Sequence, residues 1–328
     1  MAPTVACLAS VGLWSVAGFG GGLSVEMTGV WAAAPWLVAL LVFGMPHGAA
    51  DWAVHAARLC DQSIRVKLYG FAPYLAYMGV SAFCLWVLPV VTIAAFFVLT
   101  AVHFGMADVN HALGDAPGTR RAGPSRLLGL SRGVLVLSVP FAIAPSAAWA
   151  PFALLSGVPL DAAPVPMASL RAACFALSLS ALVALCVAMA LIRPSSWRQP
   201  RVWFALESAC AMVLFAFTPP LFAVGVYFLF VHALKHTFRL AHAPSALGLR
   251  VAKAPEEASL ADQAKALCRV HLSAMPLWPL SVVIILVWAS ALPPGLTALS
   301  IAAASIGFYI VTTLPHHRLG RFLPPHRG

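Results

Sequence analysis

The chain has 328 residues, of which 61% are hydrophobic and 9% charged, and its formal net charge is +10. A soluble domain carries about a quarter of its residues as charges, so this composition excludes one, and at about 20 apolar residues per crossing it supplies roughly ten transmembrane helices. Long unbroken apolar runs exclude a β-barrel, whose strands alternate, and the scatter of the 20 Lys and Arg between those runs excludes a nucleic-acid partner.

The expected fold is therefore all-α: a polytopic helix bundle forming one transmembrane domain over 1–328, with the bilayer as its solvent. Its first span, 5–23, lacks the basic leader of a cleavable signal and is expected to stay in the membrane, peripheral to the rest. The second, 31–54, carries His47, Asp51 and His55. Spans at 68–87 and 90–110 follow, separated at Pro89, and the latter holds His103, Asp108 and His111. Spans 127–149, 169–191 and 202–218 come next. Span 220–240 starts at the Pro219-Pro220 break and carries His232 and His236. A polar stretch at 241–270 is expected in the cytoplasm. Leu260, Ala264 and Leu267 have helical spacing there, fitting either a helix against the membrane face or a solvated linker helix. Spans 273–292 and 295–315 complete the bundle, ending in His316 and His317.

Basic residues cluster after even-numbered spans: Arg58, Arg65 and Lys67; Arg120, Arg121, Arg126 and Arg132; Arg193, Arg198 and Arg201; Arg239, Arg250, Lys253, Lys265 and Arg269; Arg318, Arg321 and Arg327. By the positive-inside rule these loops are cytoplasmic, as are both termini, and the protein is expected in the cell's inner (cytoplasmic) membrane as a multi-pass protein. Lys235 is expected to snorkel to the inner surface. The seven cysteines form no CxxC pair, so neither disulfides nor a zinc ribbon are expected.

Ionisable groups inside a bilayer cost several kcal/mol unless partnered, which makes those within the spans candidates for function. Counting about 1.5 Å per residue from the outer end of each span, His47, His103, His232 and His236 lie roughly 24, 20, 17 and 23 Å down, in one slab. His316 comes out near roughly 30 Å by the same count and reads as a second-sphere or entrance residue. His55, His111, His242, His271, His317 and His326 read as interfacial or loop residues. A lone intramembrane histidine is usually a hydrogen-bonded packing residue. Four at one level are harder to dismiss, with His232 and His236 four apart on one helix face and able to chelate a single ion. Asp51 and Asp108 stand four and five residues after a histidine, where a carboxylate accepts the other ring N–H. Gly48 and Gly105 would permit close helix approach. These residue types leave iron, zinc, copper and manganese all open.

The ordered set Gly44-Met45-Pro46-His47-Gly48-Ala49-Ala50-Asp51, His103-Phe104-Gly105 with Asp108, His232-x-x-x-His236 and Leu314-Pro315-His316 resembles the Brp/Blh family of bacterial and archaeal membrane β-carotene 15,15'-dioxygenases. The resemblance implies a non-haem Fe(II) held by His47, His103, His232 and His236. It also implies cleavage of the central double bond of all-trans-β-carotene with O2 to give two molecules of retinal. Substrate and enzyme would meet inside the lipid bilayer, and the retinal would pass on to a rhodopsin-like protein. Oligomeric state has no signal in the sequence. Trp52 departs from the smaller or more polar residue expected after Asp51, a difference that bears on the substrate channel rather than on the ligands.

Three rivals make different demands. A related membrane oxygenase acting on another carotenoid or apocarotenoid would keep the same ligands. A metal or proton transporter with a His/Asp relay would need polar groups through both leaflets, and the outer halves of these spans have few. A bis-histidine haem protein would show a Soret band.

Overall fold

Proline sets where several helices begin. Pro89, Pro145 and Pro220 each open a helix, where their missing N–H would have had no partner and their fixed φ is already helical. The computed structural model describes residues 2–14, 30–50, 63–113, 123–158, 166–192, 198–242, 259–275 and 277–320, and among them there is no strand. In chain order the helices are α1 (Ala2–Trp14), α2 (Val30–Val38), α3 (Met45–Ala49), α4 (Ile64–Val87) and α5 (Pro89–Leu113). They continue with α6 (Gly123–Ile143), α7 (Pro145–Ser156), α8 (Met167–Leu191), α9 (Arg198–Phe217) and α10 (Pro220–Tyr227). The last four are α11 (Leu234–His242), α12 (Leu260–Ala274), α13 (Leu277–Ala291) and α14 (Ala298–Gly320).

The chain is an all-α multi-pass bundle. Among the described residues six helical stretches are long and apolar enough to cross a bilayer, and the pair Ala264–Ala274 and Leu277–Ala291, bent by 64°, makes up to seven. Spans expected at 68–87, 90–110, 169–191, 220–240 and 295–315 correspond to such helices. The first expected span runs past Trp14 out of the described residues, as the second does beyond Ala50. The stretch 202–218 is helical up to Phe217 as part of α9, a helix that carries Arg201 and Glu207. The expected span 127–149 is corrected: the helix stops at Ile143, Ala144 leaves helical geometry, and Pro145 starts a new helix. A residue before proline is pushed out of the α region, which is the physical reason for the break.

Within the bundle α6, α10 with its continuation, and α14 form the interior, while α4 and α8 turn Val80, Phe83, Phe175, Leu179 and Val183 outward. The close approach of α5 and α6 depends on glycine at two places. A Cβ at Gly105 of α5 would collide with the Gly129 carbonyl of α6, and one at Gly133 with the Ala101 carbonyl. Gly129 and Gly133 are four apart, so α6 offers α5 the small-xxx-small surface on which membrane helices pack without a hydrophobic driving force. Gly48, by contrast, has nothing within 4 Å of a built Cβ among the described residues, so no close helix approach is seen there.

The polar stretch resolves in its second half into α12. Ser259 caps it, accepting from the Asp262 N–H while the Asp262 carboxylate accepts from the Ser259 N–H. The helix packs on α3 and α11, and the His271 ring stands 2.6 Å from the Val42 carbonyl oxygen, so it lies against the bundle rather than as a free linker. Residues 243–258 lie outside the described residues.

Candidate functional site

Two π-helical turns, Ala39–Gly44 between α2 and α3 and Phe228–Ala233 between α10 and α11, pack against each other. Ala39, Phe228, Leu229 and Ala233 form their buried contact. A π turn adds a residue to a helix and re-aims the side chains that follow, and such turns frequently occur at functional sites. Here one immediately precedes the helix bearing His47, and the other contains His232.

The imidazoles of His103, His232, His236 and His316 form a closed quadrilateral. Ring centroids are 5.2 Å apart for His103 and His232, 6.4 Å for His232 and His236, 5.7 Å for His236 and His316, and 5.5 Å for His316 and His103. His317 joins at one corner, its Nδ1 lying 3.3 Å from the His103 Nδ1. His232 and His236 are 2% and 8% exposed. Phe104 and Phe228 pack on the His232 ring at 4.1 and 5.6 Å.

Three of the four expected ligands are thus brought together. His47 lies on α3, at the start of the helix that follows the first π turn, but its side chain lies outside the described residues, as do Asp51, Trp52 and His55. The placement of His316 within the cluster differs from the depth count, which put it near the inner interface, and that of His317 differs from its interfacial or loop reading. That count assumes upright helices with one rise throughout, and neither tilt nor π-helical turns respect it.

The donor set suits a divalent transition metal. Histidine nitrogens at about 2.0–2.1 Å from one ion put ring centroids about 5–6 Å apart, which three of the four spacings meet while His232 and His236 stand wider at 6.4 Å. His232 Nδ1 is buried without a hydrogen-bond partner. As the side chains stand, no group of three His, Cys, Asp or Glu among the described residues is placed to hold an ion. The rings therefore fit a metal in type and spacing, and closing on it requires rotation about their side-chain torsions, the His47 ring being the remaining expected donor.

Behind the histidines lies an ion network that the sequence reading divided wrongly. Arg132, expected at a loop, is fully buried within α6, its Nε 3.3 Å from Asp108 and its Nη2 3.3 Å from Glu207. Lys235, expected to snorkel, instead donates to both carboxylate oxygens of Glu207 at 2.8 Å. Asp108 accepts from Arg132 and from the Tyr227 hydroxyl at 2.5 Å, rather than serving the His103 ring as its spacing suggested. The physical reason is common to all three: a charge in the low-dielectric interior takes an opposite charge where one is in reach. Glu207 in mid-α9 was the available signal, an acidic residue with no loop to explain it.

The quadrilateral opens on a cavity of about 290 Å³. Phe96, Phe97, Phe104, Phe141, Phe152 and Phe228 line it with Trp36, and His103, His232 and His316 form its polar end. The Trp36 indole N–H donates to Ser305 at 2.8 Å, which fixes that wall. Thr100 and Tyr309 are among the lining residues, and their hydroxyls are buried with no hydrogen-bond partner among the described residues. An aromatic-walled space with donor nitrogens at one end can hold a long apolar molecule against a metal.

Comparison with known proteins agrees with this chemistry. Residues 38–324 match the family described as beta-carotene 15,15'-dioxygenase. A probable beta-carotene 15,15'-dioxygenase Blh of Halobacterium salinarum is 29% identical over 311 residues, covering 90% of this chain and 84% of that protein. A beta-carotene 15,15'-dioxygenase from an uncultured marine bacterium is 26% identical over 205 residues, 61% of this chain and 66% of that protein. No solved structure matches the chain significantly.

Proposed function

The chain belongs to the beta-carotene 15,15'-dioxygenase family, and from that premise we propose that it cleaves the central 15,15' double bond of all-trans-β-carotene with O2, giving two molecules of retinal. The observation that carries the reading is the cluster of His103, His232, His236 and His316, three of which line a largely apolar, aromatic-walled cavity inside a membrane bundle. β-Carotene is a hydrocarbon dissolved in the bilayer, so a site within the bundle receives it without transfer through water.

We further propose Fe(II) as the metal, held by His47, His103, His232 and His236. Fe(II), when bound, supplies the redox chemistry that lets O2 react with a closed-shell polyene. The chain's own residues do the rest. Neutral imidazoles hold the cation without cancelling its charge. Arg132 and Lys235 balance Asp108 and Glu207 nearby, so the network adds no net charge beside it. The phenylalanine walls exclude water and hold the polyene extended, and the bond cleaved is the one that the cavity's length sets beside the histidines.

A second reading, cleavage of an oxygenated carotenoid, is favoured by one observation: two residues lining the cavity, Thr100 and Tyr309, carry buried hydroxyls with no hydrogen-bond partner among the described residues. Expression in cells that make β-carotene decides between them. Bleaching with accumulation of retinal supports the proposal; carotene left intact, or aldehydes of other lengths, removes it. Metal analysis of the purified protein tests the iron. The proposed setting is the cytoplasmic membrane, where a rhodopsin-like protein could take up the retinal directly from lipid.

A further inference from the structure

The cavity has a mouth on the lipid side. Of the residues lining it, Leu75, Leu280 and Ile284 are exposed, at 54%, 55% and 44%, while every other lining residue is buried or partly so. Leu75 belongs to α4 and the other two to α13. Both helices pack along α14, which contributes Tyr309 and His316 to the cavity wall, yet α4 and α13 have little contact with each other. A slot therefore runs between α4 and α13, with α14 as its back and the histidine end of the cavity inside it.

The rim is apolar. Ser281, the polar lining residue of α13, is satisfied within its own helix by the Leu277 carbonyl, so no polar group at this rim has to be desolvated by an entering hydrocarbon. Exposed leucine and isoleucine on membrane-spanning helices face acyl chains, so an apolar molecule crossing this slot exchanges one hydrocarbon surface for another. A rod-shaped polyene lying among lipid tails can enter sideways, whereas a molecule with a charged headgroup would have to strip its water first.

We infer that the slot between α4 and α13, rimmed by Leu75, Leu280 and Ile284, is the lateral portal through which the polyene passes from the bilayer to the histidine cluster. This rests on the proposed carotenoid-cleaving function and adds the route and the residues that gate it.

The test narrows the slot without touching the cavity floor. The double variant Leu75→Trp with Ile284→Trp is compared with Leu179→Trp, an equally exposed position on α8 away from the slot. β-Carotene binding to the reconstituted protein is followed anaerobically by the shift of its absorption band, so that no turnover is needed. The expected result is an association rate lower by about tenfold or more in the double variant, as when access rather than affinity limits binding, with the Leu179→Trp rate unchanged. With O2 admitted, kcat/KM should fall by the same factor as the association rate. Carotene loading at the wild-type rate in the double variant, or equal slowing in Leu179→Trp, overturns the portal and leaves the cleavage function standing. A wild-type protein that takes up no carotene and forms no retinal overturns both.

Discussion

The Nε of Arg132 lies 3.3 Å from the Asp108 carboxylate, with the two side chains 0% and 2% exposed, and this pair ties α6 to the helix that carries His103. Glu207 of α9 accepts from the same guanidinium and from Lys235, the residue before His236. Helices bearing three of the clustered histidines and their neighbour α9 are thus held by charges that are wholly or mostly buried. Replacing Arg132 by Met leaves Asp108 without its cation in the interior, and breaking a buried pair from one side costs about 3–5 kcal/mol. Arg132→Met is expected to lower the thermal unfolding midpoint in detergent strongly. Arg132→Met with Asp108→Asn should recover part of that loss, since the orphaned charge is gone. A double variant no better than the single one would show that the pair is not what the site leans on.

The two ends of this network show what the sequence could reveal. The long apolar runs and the prolines between them located α4, α5, α8, α10 and α14, because a bilayer imposes a length and a composition that are readable from sequence alone. His103, His232 and His236 were legible as a group because depth and helical spacing are both one-dimensional quantities. The partnership of Arg132 with Asp108 and Glu207 was not, since it joins residues 24 and 75 positions apart whose meeting depends on helix rotation. The π-helical turns were equally hidden: no residue of ALLVFG or FLFVHA marks a wider turn, and it is their mutual packing that selects it. The nearness of His316 to His103 and His236 was not readable either, since a count along each helix carries no information on how the helices meet.

Gly105 and Gly48 both flank a histidine motif, yet the structure separates them. A methyl group at Gly105 meets the Gly129 backbone, which cannot move as a flexible side chain would, whereas one at Gly48 meets nothing within 4 Å. Gly105→Ala is expected to part α5 from α6 at a cost of about 1–3 kcal/mol or more, the range for overpacking a close contact. Gly48→Ala should leave the unfolding midpoint unchanged. Comparing the two midpoints checks this, and equal values for both would remove the close-contact account.

The histidine quadrilateral predicts graded metal loss. His103→Ala, His232→Ala, His236→Ala and His47→Ala are each expected to abolish retinal formation and to yield protein with little bound iron by elemental analysis. A chelator applied to the wild type should do the same, with activity restored by Fe(II). Residues that orient a ligand typically change metal affinity by about 10- to 100-fold when removed, and this is the effect expected for Asp51→Asn and for His316→Ala. Complete metal loss in His316→Ala would promote it to a ligand. Normal turnover in any two of the first four variants would contradict the proposed set.

Tyr309 separates folding from substrate handling. Its hydroxyl is buried and without a hydrogen-bond partner, while its ring packs on Trp36 and Phe228 at 5.8 and 5.5 Å. An unpartnered buried hydroxyl costs about 1–3 kcal/mol relative to an apolar group of the same shape, so Tyr309→Phe is expected to keep or raise the unfolding midpoint. If the hydroxyl is there to meet a ligand oxygen, the same change should leave β-carotene cleavage intact and slow cleavage of carotenoids carrying a hydroxyl or keto group. Measuring kcat/KM for both substrate types on one preparation decides it: equal ratios in wild type and variant would assign the hydroxyl no part in selecting the polyene.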